Sequence, residues 1–342
     1  MTRVLIRADA AIDIGAGHVA RCLALAGALR DRGARVSFAC ADRPGHMMDA
    51  VRAGGFACNA LPVMPEDADA AATARLARDA DRVIVDHYDL GAAWEAAMSV
   101  PVMTIDDVGR DHRCDILLDQ NLGAAAADYA DRVPADALLL IGPDHALLRP
   151  DFERARDAAL TARRDRAARR LLVTMGGTDP GDTTGWALDA LAGHPPAAAL
   201  DLTVVLGPAA PHLDAVRIRV EAWPGPARLL VGTDRMAALM AEADLAVGAA
   251  GSTSWERCCL GLPAATLAWA DNQRGIARAL DRAGAARAVA QDDAALRGAV
   301  DTLLDDDARA AMTAAAAALC DGQGAGRVAD VILARTARGA AA

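Results

Sequence analysis

The chain has 342 residues, a formal net charge of -10 and a hydrophobic content of 54%. All 36 basic residues are arginine, which excludes a phosphate-binding loop of the GxxxxGK[ST] type and a Schiff-base lysine. The acidic balance, with only three phenylalanines and two tyrosines, excludes the basic, aromatic surface typical of nucleic-acid-binding proteins. The length predicts two domains.

The seven cysteines are odd in number and form no CxxC pair, which predicts free thiols in a reducing compartment. No window approaches 18 uninterrupted apolar residues, and the N-terminus enters a strand-like run without a basic leader. We therefore expect a cytoplasmic protein without membrane insertion, and a monomer is favoured.

Short apolar runs alternate with helical segments through the first half. The runs RVLIR, ARVSFAC, RVIVD and VPVMTI are apolar on both faces, as central strands of a parallel sheet are. A helix that ends at Gly33 follows the first run. Its apolar stripe consists of Val19, Cys22, Leu23, Ala26 and Leu29.

The turn between this first strand and its helix reads GAGH. Gly15 and Gly17 allow positive φ and close approach of a ligand, and His18 falls in the first helical turn. His18 is either a functional group or a capping histidine that contacts no ligand. Arg21 or Cys22 stands where a dinucleotide fingerprint has its third glycine, so NAD binding is disfavoured.

An Arg-rich polar stretch from 149 to 170 separates the two halves. The second half repeats the alternation, with LDLTVVLG, ARLLVGT, ADLAVGAAG and LPAATLA as strands. We predict domains at 1–160 and 168–330 and a flexible tail at 331–342. The expected architecture is α/β, with two doubly wound Rossmann-like domains facing each other across a cleft.

Two glycine clusters in the second half resemble anion-binding turns. In MGGTDPGDTT, Gly176 and Gly177 end a strand and Thr178 begins a helix, although most such turns only connect elements. In GAAGSTSWERCC, Gly251 ends a strand, and Ser252 and Thr253 offer hydroxyls and free backbone N–H groups beside a helix dipole. The second cluster therefore has the features of a diphosphate-binding site.

Three further positions carry polar groups near strand ends. Glu256 could accept hydrogen bonds from ribose hydroxyls or act as the partner in a capping box. Asn272 and Gln273 lead a helix, where amides bind sugar hydroxyls or act as simple caps. Tyr88 follows a strand in VDHYDL, at the edge where doubly wound sheets bind ligands. No metal site is predicted from the histidine and cysteine spacing.

With these residues in view, the chain resembles the UDP-2,4-diacetamido-2,4,6-trideoxy-β-L-altropyranose hydrolases of pseudaminic acid biosynthesis. The motifs that carry the resemblance are RADAAIDIGAGHVARCLALA, VDHYDL, CDILLDQN, MGGTDP, GSTSWE and DNQ, in this order. The first motif is the one most specific to this hydrolase family. The others are shared more loosely with the GT-B superfamily, which includes the MurG-like glycosyltransferases.

The resemblance implies a GT-B fold, with the sugar held by the N-terminal domain and UDP by the C-terminal domain. It implies His18 as the catalytic base, Glu256 on the ribose, and Tyr88, Asn272 and Gln273 near the sugar and phosphates. The activity implied is hydrolysis without a metal or other cofactor. Relatives often carry serines where this chain has Ala10 and Ala11, so this chain lacks side-chain hydroxyls at these two positions.

The predicted reaction is inverting cleavage of the anomeric C–O bond, with water entering opposite UDP. A neutral imidazole can take the proton of that water near neutral pH. The alternative is a GT-B glycosyltransferase with a UDP-amino sugar donor, in which His18 deprotonates an acceptor hydroxyl. The predicted substrate-binding set is Gly15, Gly17, Arg21, Tyr88, Gly176, Gly177, Thr178, Gly251, Ser252, Thr253, Glu256, Asn272 and Gln273.

Overall fold

The computed structural model describes residues 1–164, 166–268 and 271–339, without the side chains of 271, 272, 338 and 339. The chain divides into two compact units. We call Met1–Arg149 together with Gln323–Ala342 the N-terminal unit, and Pro150–Gly322 the C-terminal unit. Each unit is built on one parallel sheet, which confirms the predicted α/β class with two Rossmann-like domains.

The N-terminal unit contains a seven-stranded sheet of order β3-β2-β1-β4-β5-β6-β7. Its strands are β1 (Arg3–Ala8), β2 (Arg35–Ala41), β3 (Ala57–Leu61), β4 (Arg82–Asp86), β5 (Val102–Ile105), β6 (Ile116–Asp119) and β7 (Leu138–Ile141). Every neighbouring pair is parallel, and β1 pairs with β4 so that Ala8 lies opposite Asp86. The carboxyl ends of β1 and β4 therefore meet at one edge.

Helices cover both faces of this sheet. On one face lie α1 (Gly17–Asp31), α2 (Met48–Ala53) and the helix at Gly324–Gly339, which share a core with Ile6 and Phe38. On the other lie α3 (Glu66–Leu76) and α4 (Ala92–Ala96), whose core includes Leu5 and Trp94. Short 3₁₀ turns stand at Ala77–Asp79, Ala126–Tyr129 and Pro143–His145.

The C-terminal unit contains a six-stranded parallel sheet of order β10-β9-β8-β11-β12-β13. Its strands are β8 (Arg170–Thr174), β9 (Asp201–Leu206), β10 (Ala227–Val231), β11 (Leu245–Ala249), β12 (Ala264–Leu267) and β13 (Arg287–Val289). Its helices are α5 (Pro150–Arg163), α6 (Thr183–Ala192), α7 (Pro195–Ala198), α8 (Leu213–Glu221), α9 (Met236–Glu242), α10 (Thr253–Cys259), α11 (Asp271–Arg282), α12 (Asp293–Leu304) and α13 (Asp306–Leu319). The helix at Gly324–Gly339 is thus α14.

The apolar runs identified in the sequence are strands β1, β2, β4, β5 and β8–β12, and the stripe of α1 is buried or packed against the core. The strands β3, β6, β7 and β13 were not predicted. The strand β3 is only partly buried and contains Asn59, and β13 has three residues, so neither carries a strong apolar signal.

The unit boundaries differ from the predicted ones. The Arg-rich stretch forms α5, which belongs to the C-terminal unit and packs on α9, so the first boundary falls at Arg149 and Pro150. Residues 331–339 lie in α14 and not in a flexible tail. Val328, Ala329 and Ile332 are fully buried against the N-terminal sheet and α1. Alanine-rich composition hides this stripe in the sequence.

We expect Ile332→Ala to lower the free energy of unfolding by about 2–5 kcal/mol, because it deletes a fully buried side chain and leaves a cavity. Urea unfolding followed by circular dichroism measures the loss. The matched control is Ile218→Ala in α8, since Ile218 is 67% exposed. Equal stability of the two variants would show that α14 does not pack on the sheet.

A buried histidine cluster connects α4 to the loops after β5 and before β6. His112 Nδ1 lies 2.8 Å from Glu95 Oε1, and its Nε2 lies 3.6 Å from Asp106 Oδ1. Thr104 also donates to Glu95 Oε1, at 2.7 Å. Burial alone would lower the pKa of His112, but the hydrogen bonds and charges of Asp106 and Glu95 raise it to about 8.

This raised pKa predicts a specific pH dependence of stability. Because the folded-state pKa lies above the ordinary value of 6.5, the cluster's contribution is fully present below pH 6.5 and is lost as pH rises through about 8. We expect the stability difference between the wild type and His112→Gln to shrink by about 2 kcal/mol between pH 6 and pH 9. Urea unfolding across this range measures it, and a pH-independent difference would contradict the assignment.

Candidate active site

Ligand sites of doubly wound sheets lie where the strand order reverses, beyond the carboxyl ends of the strands. In the N-terminal sheet the order reverses between β1 and β4, and in the C-terminal sheet between β8 and β11. The loop after β1 leads to His18 and the loop after β4 carries Tyr88. The loops after β8 and β11 carry the Gly176 and Gly251 clusters. Every cluster singled out in these four loops therefore lies at a reversal point of its own sheet.

His18 stands in the first turn of α1, immediately after a tight glycine turn. Gly15 adopts a φ of +83° and its N–H donates to the Ala11 carbonyl at 2.7 Å, which closes the turn. Gly17 is exposed and begins the helix, and His18 is 7% exposed. The local sequence thus places an almost buried imidazole at the sheet edge.

The imidazole is held by a carboxylate from the neighbouring strand. His18 Nδ1 lies 2.6 Å from Oδ1 of Asp86, the fully buried last residue of β4. Burial by itself would raise the pKa of Asp86, but the charges and hydrogen bonds of Arg21 and His18 hold it well below its usual range. Asp86 is therefore ionised and can only accept hydrogen bonds. Nδ1 of His18 must then carry the proton that is donated to Asp86. The lone pair of the neutral ring then lies on Nε2.

Arg21 fixes the other side of this carboxylate. Its Nε donates to Asp86 Oδ2 at 2.6 Å, one terminal nitrogen donates to Oδ1 at 2.7 Å, and the other donates to Asp107 Oδ2 at 3.0 Å. Arg21 is 7% exposed. This forked geometry orients Asp86, and hence the ring of His18. The guanidinium that the sequence assigned to substrate is bound to protein carboxylates.

Tyr88 completes the cluster at the surface. Its hydroxyl donates to Asp107 Oδ1 at 2.9 Å, and its ring meets the ring of His18 edge-on with centroids 4.7 Å apart. Tyr88 is 38% exposed. Burial and the charge of Asp107 raise the pKa of the phenol, so it stays protonated at neutral pH. The tyrosine ring can pack against a ligand that reaches His18, and the hydroxyl oxygen can accept a hydrogen bond from it.

The opposite face of the same sheet edge carries a second histidine–carboxylate pair. His87 Nε2 lies 3.2 Å from Asp9 Oδ2, while its Nδ1 accepts the Asp89 N–H at 3.0 Å. Arg7 binds Asp9 and Asp69 in turn. Both nitrogens of His87 are occupied by protein groups, which supports a structural role for this ring.

In the C-terminal unit, Gly176 has a φ of +100° and the Gly177 carbonyl accepts the Gly207 N–H at 2.9 Å. The helix after this turn begins at Thr183, five residues later than Thr178 predicted. The Asp179 carboxylate accepts the N–H groups of Thr183 and Thr184, so it caps the helix.

The turn after β11 leads into α10, with Ser252 at its N-cap position and Thr253 as its first residue. The Ser252 side chain is exposed and makes no capping hydrogen bond, so its hydroxyl is not used as the predicted cap. Glu256 lies four residues after the N-cap, one beyond the position that a capping box requires. The capping-box interpretation of Glu256 is therefore not supported at this helix.

Gln273 lies beside this turn. Its Nε2 is 3.8 Å from the position that a Cβ on Gly251 would take. The Asn272 side chain lies outside the described residues, so its predicted role has no structural counterpart. Across the ranges described, no three His, Cys, Asp or Glu side chains form a metal-binding group, and no helix is long and apolar enough to cross a bilayer.

Comparison with known proteins bears on both units. Residues 223–329 match the glycosyltransferase family 28 C-terminal domain. Over 183 residues, 52% of this chain and 61% of the other, the sequence is 29% identical to the UDP-2,4-diacetamido-2,4,6-trideoxy-beta-L-altropyranose hydrolase of Campylobacter jejuni subsp. jejuni. The resemblance carried by the sequence motifs is confirmed.

A second relative is the spore coat polysaccharide biosynthesis protein SpsG of Bacillus subtilis (strain 168), 35% identical over 145 residues and matched over 42% of each chain. The chain spans about half the length of the curated relatives it matches. The crystal structure of MurG from Acinetobacter baumannii aligns with a TM-score of 0.68 at 18% identity, covering 97% of this chain and 99% of that one. The chain has the GT-B fold.

Sequence reasoning identified His18 but missed its partners. Asp86 and Asp107 are 65 and 86 residues from Arg21 in the chain, so no local spacing connects them. The motif VDHYDL does contain Asp86 as its second residue. The available signal was a carboxylate at the end of β4, the strand that neighbours β1, which precedes His18 in the chain.

The tautomer of His18 provides a direct test of this arrangement. We expect nitrogen-15 NMR of the wild type to show a protonated Nδ1 and an unprotonated Nε2 in the neutral ring, because the Asp86 carboxylate accepts from Nδ1. Asp86→Asn should abolish this preference. Asp107→Asn is the control, since it leaves the His18–Asp86 contact in place. Identical spectra for the wild type and Asp86→Asn would refute the assigned hydrogen bond.

Proposed function

We propose that this protein hydrolyses a UDP-linked 2,4-diacetamido-2,4,6-trideoxy-L-altrose at its anomeric C–O bond, with inversion. The products are UDP and the free sugar, and the proposed role is a step of pseudaminic acid biosynthesis. The substrate class comes from the similarity to the Campylobacter jejuni hydrolase. The proposed enzyme acts in the cytoplasm as a monomer and needs no metal or cofactor.

The observation that carries this proposal is the His18–Asp86 pair. A neutral imidazole with its proton fixed on Nδ1 has its lone pair on Nε2, which is the arrangement that general-base catalysis requires. In the described structure no hydrogen bond or ion pair involves Nε2 of His18. The adjacent carboxylate stabilises the imidazolium that forms when the ring accepts a proton.

The proposed step forms one bond, breaks one bond and transfers one proton. A water oxygen forms a bond to the anomeric carbon, and one water proton passes to His18 Nε2. The bond from the anomeric carbon to the diphosphate oxygen breaks, and its electron pair leaves with UDP. Because UDP is a good leaving group, no strong general acid is required. Entry of water opposite the leaving group inverts the configuration.

The C-terminal unit is proposed to bind UDP. The match of residues 223–329 to a glycosyltransferase C-terminal domain supports this assignment. The turns at Gly176–Gly177 and Gly251–Thr253 lie at the carboxyl ends of β8 and β11, and both can present backbone N–H groups to phosphates. Thr178 and Gln273 are proposed as further contacts, and Glu256 as the ribose ligand.

The N-terminal unit is proposed to hold the sugar and the attacking water. Tyr88 is the exposed member of the His18 cluster and is assigned to the sugar. Apart from its chain neighbours, no described atom lies within 4 Å of the position that a Cβ on Gly15 would take, and Gly17 is exposed, so both are proposed to lie against the substrate beside His18. Arg21 is reassigned from a substrate ligand to a positioning residue, since its three donor groups are bound to Asp86 and Asp107.

A glycosyltransferase is the second candidate, and the family 28 match favours it. The same base would then deprotonate an acceptor hydroxyl instead of water. The two activities differ in whether UDP is released without an acceptor. A protein that binds the sugar nucleotide without turnover is the third possibility.

Proton NMR of the purified protein with UDP-2,4-diacetamido-2,4,6-trideoxy-β-L-altrose and EDTA, without an acceptor, is expected to show UDP and free sugar. We expect His18→Ala to lower kcat by roughly 100-fold to 10,000-fold, as the loss of a general base does. Asp86→Asn should lower kcat by roughly 100-fold or more with a small change in KM. His46→Ala, which changes a histidine in the loop after β2, is the control.

Oxygen-18 water identifies the bond that breaks. UDP that carries no label indicates cleavage at the anomeric carbon, whereas label in UDP indicates attack on phosphorus and contradicts the proposed step. An unchanged substrate spectrum with the wild type would exclude the hydrolase and direct the search to an acceptor. Full activity of His18→Ala would remove the assigned base.

A further inference from the structure

Five arginines are buried in the described part of the chain, and four of them are paired with carboxylates. The pairs are Arg7 with Asp9 and Asp69, Arg21 with Asp86 and Asp107, Arg82 with Asp115, and Arg309 with Asp306. The fifth is Arg257 in α10, which is 2% exposed. No carboxylate among the residues described forms an ion pair with it. A buried cation of this kind is costly unless an anion balances it.

The hydrogen bonds of Arg257 all go to neutral oxygens of one turn. Its guanidinium donates to the Ala249 carbonyl at 2.8 Å, to Ser254 Oγ at 3.0 Å and to Thr253 Oγ1 at 3.3 Å. Burial lowers the pKa of Arg257 to about 10, so the group is still charged at neutral pH. The charge is therefore desolvated; Glu256 attracts it, but no carboxylate in the described part of the chain forms an ion pair with it.

A glycine in β11 leaves the space that the Arg257 guanidinium occupies. A Cβ on Gly248 would lie 2.7 Å from a terminal nitrogen of Arg257 and 2.7 Å from the Thr174 carbonyl oxygen. The guanidinium thus lies against the carboxyl ends of β8 and β11, the strands at which the C-terminal sheet reverses its order. The turns that follow these strands are the ones assigned to the diphosphate.

We propose that Arg257 is a positioning residue for the diphosphate: its buried positive charge attracts the phosphates, and its hydrogen bonds hold the turn at Ala249–Ser254 in the binding conformation. This inference rests on the proposed function, because it assigns UDP to the C-terminal unit. It adds a residue that neither the motifs nor the glycine pattern indicated. The bound phosphates would add negative charge to that of Glu256, which attracts Arg257 without forming an ion pair with it.

The charge and the hydrogen bonds of Arg257 can be separated by two substitutions. Arg257→Gln keeps an N–H donor for the Ala249 carbonyl or the Ser254 hydroxyl but removes the charge. Arg257→Lys keeps the charge but loses the planar fork. Arg163→Met is the matched control: burial also lowers the pKa of Arg163 to about 10, and its guanidinium binds backbone carbonyls at the amino-terminal end of the same sheet.

Isothermal titration calorimetry with UDP and with uridine measures the contribution of the phosphates to affinity. We expect Arg257→Gln to weaken UDP binding about tenfold or more while uridine affinity changes less than about twofold, because only the phosphates respond to the charge. Arg257→Lys should retain the preference for UDP over uridine to within about threefold. Arg163→Met should retain it fully.

The titrations distinguish failure of the proposed function from failure of the role proposed for Arg257. If the wild type binds neither UDP nor uridine, the proposed function fails together with this inference. If the wild type prefers UDP and Arg257→Gln keeps the same preference, only the role of Arg257 is overturned. If Arg257→Gln does not fold, Arg257→Lys decides, since a folded lysine variant that has lost the UDP preference would also overturn the role of the charge.

Discussion

The carboxylate of Asp86 is the group on which the N-terminal site depends. It is fully buried at the end of β4, where water cannot solvate it, so it is stable only because Arg21 and His18 donate to it. These contacts in turn fix which nitrogen of His18 carries the proton. One buried charge therefore binds the first turns of α1 to the end of β4 and orients the ring of His18.

The two units differ in how their buried arginines are paired with carboxylates. Each places glycine turns at the reversal point of a parallel sheet, where backbone and side chains can reach a ligand. In the described part of the N-terminal unit every buried arginine forms an ion pair with a carboxylate of the protein, and the pair at Arg21 helps to hold the His18 ring in place. In the described part of the C-terminal unit no carboxylate forms an ion pair with Arg257, so its charge can act on a bound anion. The difference agrees with a base in one unit and a diphosphate in the other.

The fold by itself is compatible with both hydrolysis and glycosyl transfer. In both reactions a base removes a proton from an oxygen nucleophile and UDP departs, so the role proposed for the His18–Asp86 pair fits either one. The choice depends on whether water or an acceptor hydroxyl occupies the position beside Nε2. That is a property of the residues around the sugar, and the similarity to a named hydrolase is the reason for placing water there.

The sequence alone determined the α/β class, the two Rossmann-like units and the position of His18, because buried parallel strands and glycine turns have local signatures. It predicted helix that fades into a flexible tail from residue 331, and it did not predict that α14 continues through residues 331–339 and packs on α1, which lies at the other end of the chain. It also did not predict Asp86 and Asp107 as partners of Arg21, or Arg257 as a buried cation that forms no ion pair with the described residues. These features depend on which strands become neighbours and on which charges lose their water. Only the tertiary structure decides this, because burial and pairing arise from residues that are distant in the chain.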